Sequence, residues 1–594
     1  MTPSQIVLLT LISQLASLAT ADWQYRSRPD LSPPKLNITV SAAASTAPGY
    51  IFTAPYLGFD ADSTGPEQPG AYIFTNDGDL VWSATGYLAG WVADFGPTVV
   101  DERLVLRAFQ GRLDAPHGRM YGDHVILDDH YEAIKTVRAG SHRLVSCHEF
   151  QVLEGETVLI ETPVAIPTDL SPYGGDENQT WVVTNGFQEL DIQTGQVLFE
   201  WYSYDHVSPK YTHFPLEETG PFGGRSSFDA WNYFHINSVD KDDEGNYLIS
   251  ARNYAAIFKI NGTDGEIIWQ LGGRAGSDFE IPDSVQFAHQ HDARFRSRSA
   301  DGTIEQISFF DNAMHTVPGH ALNSFSRARI VELNHTAGTA SEVRTYAPPD
   351  ALSTKSQGNV QLLANGNVFV NWGQAGAVTE YAEDGEVLFH AYLDSEPSKN
   401  VQSYRGFRAE WTGFSPEEPA VLAVRSQQGR LTVYVSWNGD TGTRTWQFYL
   451  VSQEKNGQVV KSIGKAKRTG FETVFTSQVA ASLVGEESVR VLAEALDSRG
   501  RSLGRSSAVN VQDDAFYPWE SANAGSNGQL IIMAANLSGF SGGQIFRTGD
   551  APLYRHGLRA LSTLAGAAWV QAVRLNVWYW IGGRKGSALV KTAE

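Results

Sequence analysis

A hairpin unit that recurs along the chain is the feature that most restricts its fold. The unit is an apolar strand, a polar turn that contains Gly, and a second strand that ends in an aromatic residue. Its copies are 73–82, 190–201, 258–269 and 380–389. Gly allows the positive φ that a tight hairpin turn needs, and alternating strands have two faces to bury. Units of this size that stack face to face predict a β-propeller.

The order of these hairpins and of the strands beside them predicts six blades. The blades are 50–84, 94–138, 147–204, 234–272, 289–346 and 357–393. Apolar and polar residues alternate in these segments, and helical periodicity is scarce before the C-terminal segment, so an all-β fold is expected. Two long inserts, 203–229 and 274–287, are expected to form loops on one rim, where functional residues tend to lie.

A second module is predicted to follow the propeller, for which we expect the bounds 22–414. Pro416 and Pro419 mark the boundary between the two. Short alternating runs separated by turn residues then predict a β-sandwich of fibronectin or immunoglobulin type over 415–512.

The two ends of the chain bear on its location. Residues 1–21 hold an apolar stretch followed by Ala-Thr-Ala, which predicts a secretory signal peptide and an extracellular protein. Five N-glycosylation motifs agree with secretion, at Asn37, Asn178, Asn261, Asn334 and Asn536. In the last segment, 513–594, the apolar stretch 561–581 carries Arg574, which is costly inside a bilayer. A poorly defined tail is therefore favoured over a membrane anchor, which stays the alternative.

The charge and the cysteine content restrict the function classes. The formal net charge of the 594 residues is -21. So acidic a protein repels the phosphates of nucleic acid, and no nucleic-acid partner is expected. Cys147 is the only cysteine, so no disulfide can form within the chain, and we expect a buried thiol that serves packing.

Three predicted blades open with a histidine near the same position: His148, His235 and His291. In a propeller, equivalent positions lie on a ring around one axis, so the three imidazoles are expected to meet in a central channel. Histidine is the side chain best suited to titrate near neutral pH, which suits an active site. The alternative for each is a histidine that only satisfies hydrogen bonds at the start of a strand.

The ends of the partner strands add polar candidates to this channel. They are Arg252 with Asn253, Asn312, and Trp372. A ring of neutral imidazoles and a guanidinium can bind a small anion despite the acidic total charge, because the electrostatic potential at a site depends mainly on the nearby charges. The alternative for Arg252 is a brace between neighbouring blades.

His289 precedes His291 by two residues, so both side chains would share one face of a strand. Zinc needs three or four ligands, and no third ligand follows at a suitable spacing, so no metal site is predicted. The acidic turn 240–245 lacks the spacing of a calcium-binding EF-hand and is interpreted as a solvated hairpin turn. His315, which precedes Pro318, is a further candidate for the rim of the site.

An ordered set of motifs resembles the arylsulfotransferase family, specifically its fungal-type secreted branch. The motifs are His235-Ile-Asn-Ser-Val, Leu248-Ile-Ser-Ala-Arg-Asn253, Gln290-His-Asp-Ala293, Phe309-Phe-Asp-Asn312, Gln357-Gly-Asn-Val-Gln361 and Ser403-Tyr-Arg405. The resemblance extends over residues 45–412. It implies a six-bladed propeller that moves a sulfuryl group from a phenolic sulfate ester to a phenol, with no nucleotide sulfate donor and no other cofactor.

The resemblance also implies which residues act. A site of histidines with an arginine and an asparagine implies catalytic roles for His235, His291, Arg252 and Asn312. Substrate-binding roles follow for His148, His289, Asn253, His315 and Trp372, and the expected partners are small aromatic sulfates and phenols. A neutral imidazole can attack sulfur and carry the group as an N-sulfo intermediate.

The sequence departs from the bacterial members of that family. Their sulfated nucleophile is a further histidine late in the propeller, whereas blade six opens here with Ser356-Gln-Gly-Asn-Val360. The arginine expected after Asn312 is also replaced, by Ala313-Met-His315. Two alternatives follow: the nucleophile is His235 or His291, or the protein no longer transfers sulfate.

Two other functions remain open at the level of sequence. The first is a non-catalytic propeller that binds a glycan, a cell-wall component or a protein partner, since a fold alone does not fix a function. The second is a quinone-dependent oxidoreductase, which the sequence disfavours because it lacks a repeated Trp-docking motif and a pair of adjacent cysteines.

Overall fold

The computed structural model describes residues 22–513 with several short gaps. The gaps are 60–62, 116–117, 221–222, 314–321, 395–399, 427–428, 455–456 and 479–488. The predicted signal peptide, 1–21, and residues 514–594 of the predicted tail lie outside the described residues.

Strands dominate the described part of the chain. Its helical segments are a single-turn α-helix, Ser203–His206, and 3-10 turns at Ser171–Tyr173, Pro209–Tyr211, Leu216–Glu218, Arg252–Tyr254 and Gly373–Ala375. Among the described residues, no helix has both the length and the apolar character that crossing a membrane requires.

The first half of the propeller contains thirteen strands, numbered in chain order. They begin with β1 (Asn37–Val40), β2 (Tyr50–Thr53), β3 (Tyr56–Leu57), β4 (Tyr72–Phe74) and β5 (Leu80–Ser83). They continue with β6 (Trp91–Val100), β7 (Arg103–Asp114), β8 (Arg119–Leu127), β9 (Ala133–Val137), β10 (Phe150–Leu153), β11 (Thr157–Pro167), β12 (Trp181–Asp191) and β13 (Val197–Tyr202).

The second half follows the same pattern. Its first strands are β14 (Ile236–Lys241), β15 (Tyr247–Ala251), β16 (Ala256–Ile260), β17 (Ile267–Gly272), β18 (His291–Arg298), β19 (Ile304–Asp311), β20 (Arg327–Asn334) and β21 (Thr339–Tyr346). Its last strands are β22 (Asn359–Leu362), β23 (Val368–Asn371), β24 (Ala377–Tyr381), β25 (Val387–Tyr392), β26 (Val401–Gln402) and β27 (Gly406–Ala409).

Six antiparallel sheets form the blades of a propeller. In chain order they are β27-β2-β4-β5, β6-β7-β8-β9, β10-β11-β12-β13, β14-β15-β16-β17, β18-β19-β20-β21, and β22-β23-β24-β25 with β1 on its outer edge. The inner strands β27, β6, β10, β14, β18 and β22 contact one another in turn around the ring. The predicted six-bladed, all-β fold is therefore confirmed.

The ring is closed by a strand from late in the sequence. β27 supplies the inner strand of blade one and pairs antiparallel with β2, with Gly406 opposite Thr53 and Ala409 opposite Tyr50. The first and last parts of the propeller thus share one sheet. A two-stranded ladder between β26 and β3 adds a second link at the same junction.

The aromatic residues that end the repeated hairpins serve the packing between blades. Trp82, Trp201, Trp269 and Phe389 are all buried. The Trp201 indole N–H of blade three donates a hydrogen bond to the Gly265 carbonyl oxygen, in the hairpin turn of blade four, at 3.0 Å. The repeat seen in the sequence is therefore a repeat of contacts between neighbouring blades.

A further sheet follows the propeller. Its strands are β28 (Ala420–Arg425), β29 (Arg430–Ser436), β30 (Thr445–Glu454), β31 (Gly457–Lys467), β32 (Glu472–Gln478), β33 (Arg490–Leu496), β34 (Ser502–Arg505) and β35 (Val509–Asp513). They form one eight-stranded sheet whose end strands, β31 and β32, also contact each other, which makes it barrel-like. The predicted β-sandwich is not confirmed by this arrangement.

Polar contacts hold this sheet against blades one and two. Asn438 donates to the Ser83 carbonyl oxygen at 3.0 Å and accepts from the Ser83 N–H at 2.8 Å. The Tyr131 hydroxyl donates to the Gly439 carbonyl oxygen at 2.7 Å, and its ring stacks on Trp82 with centroids 4.7 Å apart. These contacts leave the central channel free.

Candidate active site

A cavity of about 250 Å³ occupies one end of the central channel. His148, His235 and His291 line it together with Arg252 and Asn253. The three histidines precede or begin inner strands of blades three, four and five, and Arg252 follows β15 of blade four. The ring geometry of the propeller therefore brings together residues that are up to 143 positions apart in the sequence.

The other walls of the cavity are largely apolar. They include Phe59, Leu113, Met120, Phe214 and Tyr404. Phe59 is 43% exposed and so marks the open side. No Asp or Glu lines the cavity among the described residues, although the chain as a whole is strongly acidic.

His148 and His235 contact each other in the wall of the cavity. Their ring centroids are 4.7 Å apart, with the rings nearly perpendicular. The Nδ1 atom of His148 lies 2.6 Å from the Ser146 hydroxyl and 3.4 Å from a carboxylate oxygen of Glu161. Two imidazoles this close form a pair that can act as acid and base in one reaction.

His235 is held by two asparagines. Its backbone N–H donates to Asn185 Oδ1 at 2.9 Å, and its φ of 61° places it in the left-handed region, where β-carbon crowding makes most residues strained. The side-chain amide of Asn232 donates to its Nδ1 at 2.9 Å. Nδ1 therefore accepts, and Nε2 carries the ring proton.

Both ring nitrogens of His291 already have partners. The Gln357 backbone N–H donates to Nε2 at 3.1 Å, so Nδ1 carries the proton and donates to Asn312 Oδ1 at 2.7 Å. Asn312 in turn donates through Nδ2 to the carbonyl oxygens of Thr354 and Gln357. His291 is thus fixed in one tautomer, with its lone pair in use.

Arg252 is a buried cation without a carboxylate partner among the described residues. Its Nη1 donates to Asn253 Oδ1 at 2.8 Å and its Nη2 to the Lys355 carbonyl oxygen at 2.8 Å. Its Nε–H is buried and has no hydrogen-bond partner. Burial lowers the pKa of Arg252 to about 10, because the charged form has lost its water.

Two of the three cavity imidazoles are neutral at neutral pH. The pKa of His235 lies well below its usual range because the ring is desolvated, with the charges of His148 and Arg252 adding to the effect. The pKa of His291 is likewise well below its usual range, through burial and then the charge of Arg252. The site therefore keeps His235 and His291 uncharged beside the Arg252 guanidinium.

A family comparison supports what the geometry indicates. The family model described as Arylsulfotransferase (ASST) matches residues 96–393. The chain belongs to the arylsulfotransferase family.

Solved structures with low overall similarity to the chain come from two Bacteroides species. A protein of unknown function from Bacteroides caccae is 10% identical with a TM-score of 0.32, covering 61% of this chain and 100% of that one. A DUF3823 family protein from Bacteroides ovatus is 10% identical with a TM-score of 0.13, covering 26% and 83%. These TM-scores are too low to support an argument. No curated protein matches the chain.

Four of the predicted site residues are not among the described residues that line the cavity. Asn312 lies behind His291, and its side-chain oxygen and nitrogen are both used, so it positions that ring and does not hold a substrate oxygen. Trp372 is fully buried against Phe310, and its N–H donates to Thr379 at 2.8 Å, so it belongs to the core. His315 lies outside the described residues.

His289 is the fourth. Its ring is buried near that of His213, with centroids 6.3 Å apart, and does not line the cavity. The expected sharing of a face with His291 fails because β18 begins only at His291 and His289 has a φ of 58°. The two-residue alternation of side chains applies only within a strand.

Several cavity residues were not anticipated from the sequence. Arg119, on β8, lines the mouth and donates to the carbonyl oxygens of Ser227 and Ala230 at 3.0 Å each. Asn232 and Gln357 fix the two histidines described above. Arg119 belongs to no repeated motif, whereas Gln357 stands in one of the motifs that indicated the family.

The described residues hold one group with the composition of a metal site. Ligand atoms of Asp128, Asp129 and His130 lie within 4.8 Å of one another, and the three cavity histidines form no such group. Asp128 Oδ1 already accepts from the backbone N–H groups of His130 and Glu132. This cluster is a polar hairpin turn between β8 and β9.

Proposed function

We propose that the protein transfers a sulfuryl group from an aryl sulfate ester to a phenol in the central cavity, through a histidine. The observation that carries the proposal is Arg252, a buried guanidinium with an unused N–H beside three imidazoles and no carboxylate. A buried charge without a counter-ion is costly, and an anionic substrate would supply the missing charge.

The walls of the cavity fit the rest of such a substrate. An aryl sulfate has an anionic head and a flat apolar body. The head would lie against Arg252 and the Nε2–H of His235, and the ring against Phe59, Phe214 and Met120. Fixed donors around the sulfuryl oxygens are the main source of rate in transfers of this kind, by analogy with phosphoryl transfer.

His148 is the proposed nucleophile. The lone pair of His291 accepts from the Gln357 N–H, and that of His235 accepts from Asn232, whereas Nε2 of His148 has no hydrogen-bond partner among the described residues. Blade six has Gln357 where the bacterial pattern has its histidine, so a histidine of an earlier blade must serve. The sequence had favoured His235 or His291 for this role.

The proposed reaction has two steps. His148 Nε2 attacks sulfur, so that an N–S bond forms while the S–O bond to the aryl group breaks, and the phenolate leaves with the electron pair and takes a proton from water. The acceptor phenol then attacks sulfur through its oxygen and gives up its proton to water, while the N–S bond breaks and the lone pair returns to His148. The two proton transfers cancel over one cycle.

Secretion is part of the proposal. The four N-glycosylation asparagines in the described part of the chain, at 37, 178, 261 and 334, are all partly or fully exposed, as a carbohydrate acceptor must be. The partners we propose are small aromatic sulfates and phenols. Nucleic acid and membranes are not among them.

The test is to incubate the purified full-length protein with p-nitrophenyl sulfate, with and without phenol. We expect release of nitrophenolate and formation of phenyl sulfate in equal amounts, and little release without the acceptor. If several aryl sulfates give no turnover while the protein binds a cell-wall polysaccharide tightly, the protein is a binding propeller and the proposal is wrong.

A further inference from the structure

Glu161 is a buried carboxylate directly behind His148. It lies on β11 of blade three and is fully buried. Its Oε1 accepts from the Asn185 side-chain amide at 3.1 Å. Its Oε2 has no hydrogen-bond donor within standard distance, and the nearest polar atom with which it pairs is His148 Nδ1 at 3.4 Å.

A second buried glutamate near His148 has the cation partners that Glu161 lacks. Glu149 is also fully buried, but Arg294 and Arg405 contact its carboxylate at 2.8 Å and 3.0 Å. Among the described residues, neither Arg nor Lys pairs with Glu161. A buried carboxylate that has no structural cation points to a role in the site it faces.

The position of Glu161 favours one tautomer of His148. A charged acceptor holds a proton more strongly than a neutral hydroxyl does. A proton on Nδ1 can be shared between the Ser146 hydroxyl at 2.6 Å and Glu161 Oε2 at 3.4 Å, whereas a proton on Nε2 would leave a lone pair of Nδ1 beside the carboxylate. The favoured tautomer leaves the lone pair of Nε2 available to the cavity that His148 lines.

We infer that Glu161 is a positioning residue, which holds the Nδ1 proton of His148 so that Nε2 is the nucleophilic atom of the site. The inference rests on the proposed function for the reaction that His148 performs, but the tautomer itself does not depend on that function. When Nε2 takes up the sulfuryl group, the ring gains positive charge, and the carboxylate behind Nδ1 stabilises it, as in a carboxylate–histidine pair of a hydrolase.

The decisive variant is Glu161→Gln, with Thr162→Val as its control. Gln keeps the size of the side chain and the bond from Asn185, but presents an N–H group to Nδ1, so His148 must accept there and carry its proton on Nε2. Thr162 is a buried neighbour on the same strand whose side chain points to the opposite face. Its replacement tests for a general disturbance of β11.

The first measurement is the rate at which diethyl pyrocarbonate modifies His148, followed by mass spectrometry of the folded protein. This reagent attacks a free imidazole lone pair and requires no sulfuryl transfer. We expect His148 to react faster than His291, to slow by at least about tenfold in Glu161→Gln, and to be unchanged in Thr162→Val. Equal rates in the native protein and Glu161→Gln, or an unreactive His148 in the native protein, would overturn the inference.

The second measurement is turnover of p-nitrophenyl sulfate together with the thermal midpoint. Glu161→Gln should lower kcat on the order of 10²–10⁴-fold, as a wrong tautomer does, with little change in KM and no loss of thermal stability. A fall in the thermal midpoint with unchanged kcat would make Glu161 structural and overturn the inference. If the native protein shows no turnover, the proposed function fails, and the labelling rates still decide the role of Glu161.

Discussion

Two buried arginines in the central channel have opposite surroundings. Arg405 contacts the carboxylates of Glu149 at 3.0 Å, Asp94 at 3.5 Å and Asp292 at 3.9 Å. Burial alone lowers the pKa of an arginine, but these carboxylates outweigh it and raise the pKa of Arg405 well above its usual value. Arg252 contacts neutral oxygens, and burial lowers its pKa to about 10.

This difference indicates a structural role in the ring for Arg405 and a ligand-binding role for Arg252. Arg405 also donates to the carbonyl oxygens of His148 and Asn237, at 2.9 Å and 3.0 Å, and so joins blades three and four to the closing strand of blade one. Both terminal nitrogens of its guanidinium donate to groups of the folded chain. Arg252 has a buried N–H for which the described residues provide no acceptor.

Removing Arg405 should have the largest effect. Arg405→Met would leave buried carboxylates of three blades without their shared cation, and breaking a buried ion network of this kind costs about 3–5 kcal/mol. We expect the free energy of unfolding, from guanidinium denaturation, to fall by that amount, or the chain not to fold. If Arg405→Met is as stable as the native protein, Arg405 has no structural role that distinguishes it from Arg252.

Removing Arg252 should affect catalysis and not stability. Arg252→Met takes away the proposed partner of the sulfuryl oxygens and should lower kcat/KM about 10²–10³-fold, while the thermal midpoint stays constant or rises because an unpaired buried charge is gone. The measurement is turnover of p-nitrophenyl sulfate beside a thermal melt. As a control, Arg143→Met changes an arginine outside the cavity and should leave turnover unchanged. Parallel losses of activity and stability in Arg252→Met would contradict the prediction.

Acid should destabilise the fold through its buried histidines. Burial lowers the pKa of His124 to about 3, and those of His235 and His291 also lie below the unfolded value near 6.5. Below about pH 6.5, the unfolded chain binds protons at these histidines and the native protein does not. The free energy of unfolding therefore decreases as the pH falls. Each such group contributes up to about 1.4 kcal/mol per pH unit.

The measurement is the free energy of unfolding between pH 7.5 and pH 5. His124→Phe keeps a ring between Phe109 and Phe150 and should reduce the slope of that free energy with pH. A slope that is the same in the variant would show that His124 does not contribute to the acid response.

Sulfate should give the smallest effect. An anion that binds beside Arg252 stabilises the native state by mass action, by about 1–3 kcal/mol at concentrations well above its dissociation constant. We expect sodium sulfate to raise the thermal midpoint of the native protein more than that of Arg252→Met, with sodium chloride at equal ionic strength as the reference. Equal rises in the two proteins would reflect salt acting on the whole surface and not on the site.

The sequence predicted the fold more fully than the site. Hairpins with a Gly turn and a final aromatic mark four of the six blades, because turn geometry and packing are local. The meeting of His148, His235 and His291 followed from the same repeat. The repeat does not indicate the direction of each side chain at the strand ends. His235 and His289 lie there, and both have positive φ.

The residues that the sequence missed depend on partners that only the folded chain supplies. Asn312 contains the right groups to hold a substrate, but His291 and two carbonyl oxygens use them. Trp372 follows a strand end like the cavity residues do, yet its ring turns toward Phe310. Glu161 looks like any polar residue of an alternating strand until its distance from His148 is known.

The late position of β27 in the sequence determines when the cavity is complete during synthesis. Tyr404, which lines the cavity, and Arg405, which ties His148 to blade four, directly precede β27. A nascent chain that has emerged only as far as blade six has every histidine of the site but not this wall or this brace. The cavity is therefore complete only after β27 has been synthesised and has paired with β2.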